Sequence, residues 1–211
     1  MVKFRKFTKI IPYEDKQMKK TIVLSSFLIM SLFFNGCNND KKQSQEVKYI
    51  APVIPEKVIP ENEYPLTDLN SKIYNIKRVE NGFILEDKKD KIIILDIYAT
   101  WCPPCRAATV HLSSLKEKYK DNLIIIGMTI EDKINNQKLK EFKDTYKINY
   151  TLVNSKQNKR LIKAVATSLE VGNRFPIPLM AMYKNGKLIN SYVGAVEEEF
   201  IESDIKRALG K

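Results

Sequence analysis

What this chain lacks narrows it quickly. It has one histidine, His111, and three cysteines, Cys37, Cys102 and Cys105, so there is little from which to assemble a metal centre. A tetrahedral zinc site needs four ligands. The Cys102/Cys105 pair would have to recruit both His111 and Cys37, and Cys37 lies 65 residues upstream of Cys102. The main apolar run, residues 21–34 (TIVLSSFLIMSLFF), has fourteen residues, short of the roughly 20 of a comfortable membrane span. Nor is there a basic tract interleaved with aromatics. The net charge is +11, but residues 1–36 hold seven Lys/Arg against Glu14 and Asp15, which leaves +6 for the rest. That remainder is mixed-sign surface such as Lys116-Glu117-Lys118, which suits a solvated face better than a phosphate tract, and no nucleic-acid partner is expected.

A length of 211 residues with 44% hydrophobic content allows one ordinary core plus extensions. Residues 21–34 follow Met18-Lys19-Lys20 and fit the apolar core of a secretory signal. Asn35-Gly36-Cys37 then resembles a bacterial lipoprotein processing site, which would make Cys37 a lipidated N-terminus. Phe34 and Asn35 fit that pattern imperfectly, so an uncleaved anchor or a free thiol stays open. Each alternative puts the following domain outside the cytoplasm. Met18 looks like a natural start, with residues 1–17 an unusual basic extension. Residues 38–65 are polar and then punctuated by Pro52, Pro55, Pro60 and Pro65, which favours an extended stalk. The alternative is that part of it packs on the domain as an edge element. The expected organisation is 1–37 membrane-targeting segment, 38–65 linker and 66–211 folded domain.

The domain is organised around Trp101-Cys102-Pro103-Pro104-Cys105-Arg106, between an apolar run and a segment able to form a helix. With Cys102 at a helix start and Cys105 one turn on, the sulfurs can reach disulfide distance. The free N–H groups and dipole of the helix end stabilise a thiolate on Cys102. A purely structural disulfide is the plainer reading, but so short a loop adds little stability. Residues 92–98 (IIILDIY) read as a central strand covered on both faces, interrupted by Asp96. A buried carboxylate must find a partner or take up a proton; an exposed or capping Asp at the strand's edge is the alternative.

The run Ala99-Thr100-Trp101-Cys102-Pro103-Pro104-Cys105-Arg106 resembles the active-site signature of the thioredoxin superfamily, in particular its TlpA/ResA-like membrane-tethered thiol–disulfide oxidoreductases. The resemblance is specific over these eight residues and looser over 66–211. It implies an α/β, thioredoxin-like three-layer fold: a mixed central sheet with helices on both faces, an N-terminal hairpin, and an inserted helix and strand. It also implies that Asp96 exchanges protons with Cys105, that Trp101 packs over the sulfurs, and that Ile177-Pro178 is a cis bond against Cys102. Pro176 is the competitor for that last position. The Ile177 backbone would then pair with an extended substrate strand. Two departures stand out: many relatives carry glutamate where this chain has Ala108, and proline where it has Val110.

The remaining pattern agrees with such a fold. Residues 73–78 and 83–86 flank a hairpin dipeptide, Asn81-Gly82. Residues 103–120 read as a helix with Val110, Leu112, Leu115 and Tyr119 on its apolar face. His111 should point away from the sulfurs, and Arg106 either adds positive potential near them or is simply solvated. Residues 123–129 form a second buried strand, 136–146 and 159–168 helices, and 150–153 a short strand. Pro178 opens an apolar strand that turns at Asn185-Gly186, pairs with 187–193 and leads to a closing helix over 197–209. Cys105 and Pro178 stand 73 positions apart, which leaves room for a helix and a strand but not for a large helical domain.

The expected function is an extracytoplasmic thiol–disulfide oxidoreductase. The resemblance favours reduction of protein disulfides, as in cytochrome c maturation, with apocytochrome c as the substrate and a membrane electron donor upstream. No metal or organic cofactor is required, and a monomer is expected. An oxidase or isomerase, or a redox-inert binding module using the groove beside Pro178, is the alternative. A peroxidase usually wants Thr-x-x-Cys, whereas Thr100 stands only two positions before Cys102.

Overall fold

The computed structural model describes residues 58–211. The targeting segment 1–37, Cys37 and most of the linker 38–65 lie outside these residues. Three strands come first: β1 (Glu63–Thr67), β2 (Ile73–Val79) and β3 (Gly82–Leu85). After a short 3-10 turn at Glu86–Lys88 follow β4 (Ile92–Tyr98), α1 (Pro103–Lys118), β5 (Leu123–Thr129), α2 (Asn136–Thr145) and β6 (Thr151–Val153). α3 (Asn158–Ser168), β7 (Leu179–Lys184), β8 (Lys187–Val193) and α4 (Glu198–Leu209) complete the domain.

The central sheet runs β6-β5-β4-β7-β8, with β4 parallel to β5 and antiparallel to β7. β4 lies in the middle because every one of its residues is apolar or uncharged-capable and buried. Its alternating side chains feed two cores. Ile92, Ile94 and Tyr98 pack with α1, α2 and α4 through Leu112, Leu115, Phe142, Ile201 and Ile205. Ile93, Leu95 and Ile97 pack on the other face with Leu161 and Val165 of α3 and with Leu66, Ile76 and Phe83 of the first three strands. The result is the mixed three-layer arrangement expected, with helices on both faces.

The expected N-terminal hairpin is β2–β3, and β1 extends it to a three-stranded antiparallel sheet. Its first strand starts at Glu63, inside the stretch read as linker. Pro65 misled that reading because it resembles a stalk residue; on an edge strand, its missing N–H costs no ladder bond. β1 is held from outside as well: Arg160 of α3 donates to the carbonyls of Pro60, Glu61 and Glu63, and its guanidinium lies 4.6 Å from the Tyr64 ring centroid. The turn between β2 and β3 falls on Glu80-Asn81, with Gly82 already paired to Val79.

On α1 the inward face is Cys105, Ala108, Thr109, Leu112 and Leu115. Val110, expected to be apolar core, is exposed; two positions before Leu112, it lies about 200° round the helix from the Leu112/Leu115 face. The β7–β8 turn uses Asn185 and Gly186, both in the left-handed region at φ 51° and 77°. A side chain at Gly186 would also meet Val79 Cγ2 at 2.7 Å, so this turn can close against β2 only with glycine there.

Candidate active site

At the C-terminal end of β4 the chain turns through Ala99, Thr100 and Trp101 into α1. Cys102 is the N-cap of that helix, with prolines filling the first two helical positions, where no N–H partner is needed. Its sulfur accepts from the backbone N–H of Cys105 at 3.3 Å. The two cysteines form a disulfide across a Cα–Cα distance of 5.3 Å. When that bond is open, a Cys102 thiolate keeps the same donor and the positive end of the helix dipole, which is the physical basis for a nucleophilic thiol here. Both cysteines are buried, at 3% and 1% exposure, whereas Trp101 beside them is 60% exposed. Trp101 therefore forms a wall of the neighbouring groove and presents its ring to solvent.

The loop ahead of Cys102 is pinned by a residue that the sequence reading missed. Glu131, just beyond β5, accepts from Thr100 N–H at 2.7 Å, from Thr100 Oγ1 at 3.1 Å and from Thr129 Oγ1 at 3.1 Å. On the other side, Arg106 Nε donates to the Thr100 carbonyl at 2.8 Å, and its guanidinium lies over Tyr146 at 5.7 Å. Arg106 is thus an anchor for the active-site loop. The Glu131–Thr100 contact spans 31 residues, and no local sequence pattern announces it.

Opposite the disulfide, Ile177-Pro178 is a cis peptide. The Ile177 carbonyl oxygen lies 3.7 Å from Cys102 Sγ, while the Pro178 carbonyl is taken by Gly194 N–H at 2.8 Å. The structure thus brings Cys102, Cys105, Trp101, Ile177 and Pro178 together. Pro176, the competing proline, lines the groove instead.

Asp96 is 2% exposed, on the α1 face of β4 between Ile94 and Tyr98. Among the described residues it has one partner, the Tyr150 hydroxyl, which donates to Oδ2 at 3.3 Å, while Oδ1 and the Tyr98 hydroxyl are buried with none. Burial pushes the Asp96 carboxyl up to about 7, opposed only by the Tyr150 hydrogen bond. Burial and the nearby Asp96 charge likewise raise Tyr150, so this phenol stays a donor. Gly127, the residue opposite Asp96 on β5, makes the contact possible. A side chain there would meet Leu152 at 2.7 Å, Tyr98 at 3.2 Å and Tyr150 at 3.3 Å.

His111 is half-buried, with Nδ1 3.1 Å from the Val196 carbonyl, a link between α1 and the start of α4. Ala108 is buried on the inward face of α1. Among the described residues, no group of three or more His, Cys, Asp or Glu side chains is placed to hold a metal ion.

The profile of the AhpC/TSA family matches residues 64–178. Thioredoxin-1 of Drosophila melanogaster is 37% identical over 79 residues, 36% of this chain and 68% of that protein. The thiol-disulfide oxidoreductase ResA of Bacillus anthracis is 25% identical over 146 residues, 68% of this chain and 73% of that protein. Among solved structures, a thiol:disulfide interchange protein of the thioredoxin family from Chlorobium tepidum TLS superposes with a TM-score of 0.57 at 20% identity, covering 72% of this chain and 99% of that one.

Proposed function

The chain belongs to the AhpC/TSA family of thioredoxin-like proteins and is a thiol–disulfide oxidoreductase, and from that premise we propose that it reduces protein disulfides outside the cytoplasm, tethered to a bacterial membrane through Cys37. The observation that carries the chemistry is the Cys102–Cys105 disulfide at the N-terminus of α1, with Cys102 as N-cap. The Cys102 thiolate attacks one sulfur of a substrate disulfide; the other leaves as a thiolate and takes a proton. Asp96, as carboxylate, accepts the proton of Cys105. The resulting thiolate attacks Cys102 Sγ, the second substrate sulfur departs, and the pair ends oxidised.

Extended substrate backbone would pair at Ile177, whose N–H has no hydrogen-bond partner among the described residues. The extracytoplasmic, lipid-anchored reading is supported by the apolar segment 21–34 and the Asn35-Gly36-Cys37 sequence after it. No helix among the described residues is long and apolar enough to cross a membrane. The protein's setting is a cytochrome c maturation route, with apocytochrome c as substrate and a membrane electron donor upstream.

Equilibration of Cys102/Cys105 with dithiothreitol or glutathione tests the direction. A potential near that of thioredoxin, about −270 mV, is expected; one near −120 mV would turn the protein into an oxidase. Cys105→Ala should stall at the mixed disulfide and so retain its substrate covalently. Labelling with radioactive palmitate, compared between the full chain and Cys37→Ala, tests the anchor.

A further inference from the structure

Between the loop after β4, helix α3 and the segment leading to Pro178 lies an open groove of about 530 Å3. Its floor is apolar: Trp101, Ile130, Ile162, Phe175 and Ile177. Its lining also carries three cations, Lys159 and Lys163 on α3 and Arg174 on the segment leading to Pro178. Lys159 is answered by Asp132 at 2.6 Å. Glu131, the other nearby acid, is committed to Thr100 and Thr129. Lys163 and Arg174 are exposed and have no ion-pair partner among the described residues. Two cations without an ion-pair partner among the described residues therefore line an apolar trough that also includes Trp101 and Ile177, the chain neighbours of Cys102 and Pro178.

We infer that this groove takes an acidic, extended stretch of polypeptide, with an apolar side chain seated on the floor, as the part of the substrate flanking its disulfide. This rests on the thiol–disulfide reading above and supplies its substrate class. A polypeptide suits the site because the trough lies beside the free N–H of Ile177, where an extended backbone can pair, and because its floor offers apolar area. The cations select among such chains by sign: each exposed pair is worth a factor of about 2 to 5, so two give about tenfold at low ionic strength. Salt screens both.

Trp101 is the chain's single tryptophan and lines the groove, so its emission reports occupancy directly. The full-length oxidised protein is titrated with short peptides of one apolar sequence, flanked by Glu or by Lys, with Ser in place of Cys. The acidic peptide should bind about tenfold more tightly. That preference should vanish in high salt and invert in K163E/R174E. Equal affinity for the two peptides would overturn the inference, as would binding of a single-stranded oligonucleotide as tight as that of the acidic peptide. With an intramolecular disulfide restored to the same peptides, the reduced protein should follow the same order in kcat/KM. Failure to reduce any of them would overturn the reductase reading and leave the acidic peptide a ligand only, a result separable from the titration.

Discussion

Two aspartates are buried in this domain, and they are treated in opposite ways. Asp204, on α4, is 5% exposed and fully answered: Asn190 donates at 2.6 Å, the Tyr192 hydroxyl at 2.5 Å, and Arg207 closes the other oxygen. It ties the last helix to the last strand. Asp96, on β4, is as deeply buried but has one long hydrogen bond and an oxygen with none. A structural carboxylate is surrounded by hydrogen-bond donors. One left short of donors, on the strand that leads into the Cys102–Cys105 turn, has its carboxyl pushed up to about 7 by burial. The difference separates a fastening from the proton carrier proposed above.

The largest test of that contrast is stability against pH. Asp96 titrates near 7 when folded and near 3.8 as an ordinary carboxyl. The folded state therefore binds more protons than the unfolded one between those values, and its contribution to stability, complete below about pH 4, is lost as pH rises through about 7. The loss amounts to at most about 4 kcal/mol, so Asp96→Asn should match the parent at pH 4 and exceed it by up to that amount at pH 8 in urea unfolding. Asp204→Ala should behave oppositely, losing about 2 kcal/mol at neutral pH because the buried Tyr192 hydroxyl is left without its acceptor. Equal destabilisation by both changes would break the comparison.

Kinetics sharpen it. Resolution of the mixed disulfide should accelerate as pH rises through about 7, and Asp96→Asn should slow that step by about 100-fold and remove the dependence, while Asp204→Asn leaves the pH profile in place. The smallest effect belongs to Tyr150→Phe. It deletes the only donor to Asp96 among the described residues, so the midpoint of the profile should move up by no more than about one unit. A downward move would mean that Tyr150 does not stabilise the carboxylate.

Much of this site could be read from local sequence because its parts are contiguous: a strand, Cys102 to Cys105, a helix, and a proline opening a hairpin. Asp96 stood out because a charge within IIILDIY has no local excuse. The features missed are those whose partners are distant. Glu131 meets Thr100 across 31 positions, and Tyr150 meets Asp96 across 54. Periodicity carries no trace of such pairings. Val110 failed for a different reason: an i, i+2 step to Leu112 is about 200° round a helix, so an apolar residue there does not share the Leu112/Leu115 face. Glu63–Pro65 failed because an edge strand tolerates the same proline that marks a linker, and only Arg160, about 100 positions later, distinguishes the two.

That arginine clasp has a mechanical side. A pull on the chain from its N-terminal direction is received first by β1, which is zipped along five residues to β2 and gripped by α3. Those ties belong to the layer on the far side of the central sheet from α1. Under the tether proposed above, tension would load a small outer sheet in shear before it reached the layer that carries the sulfurs.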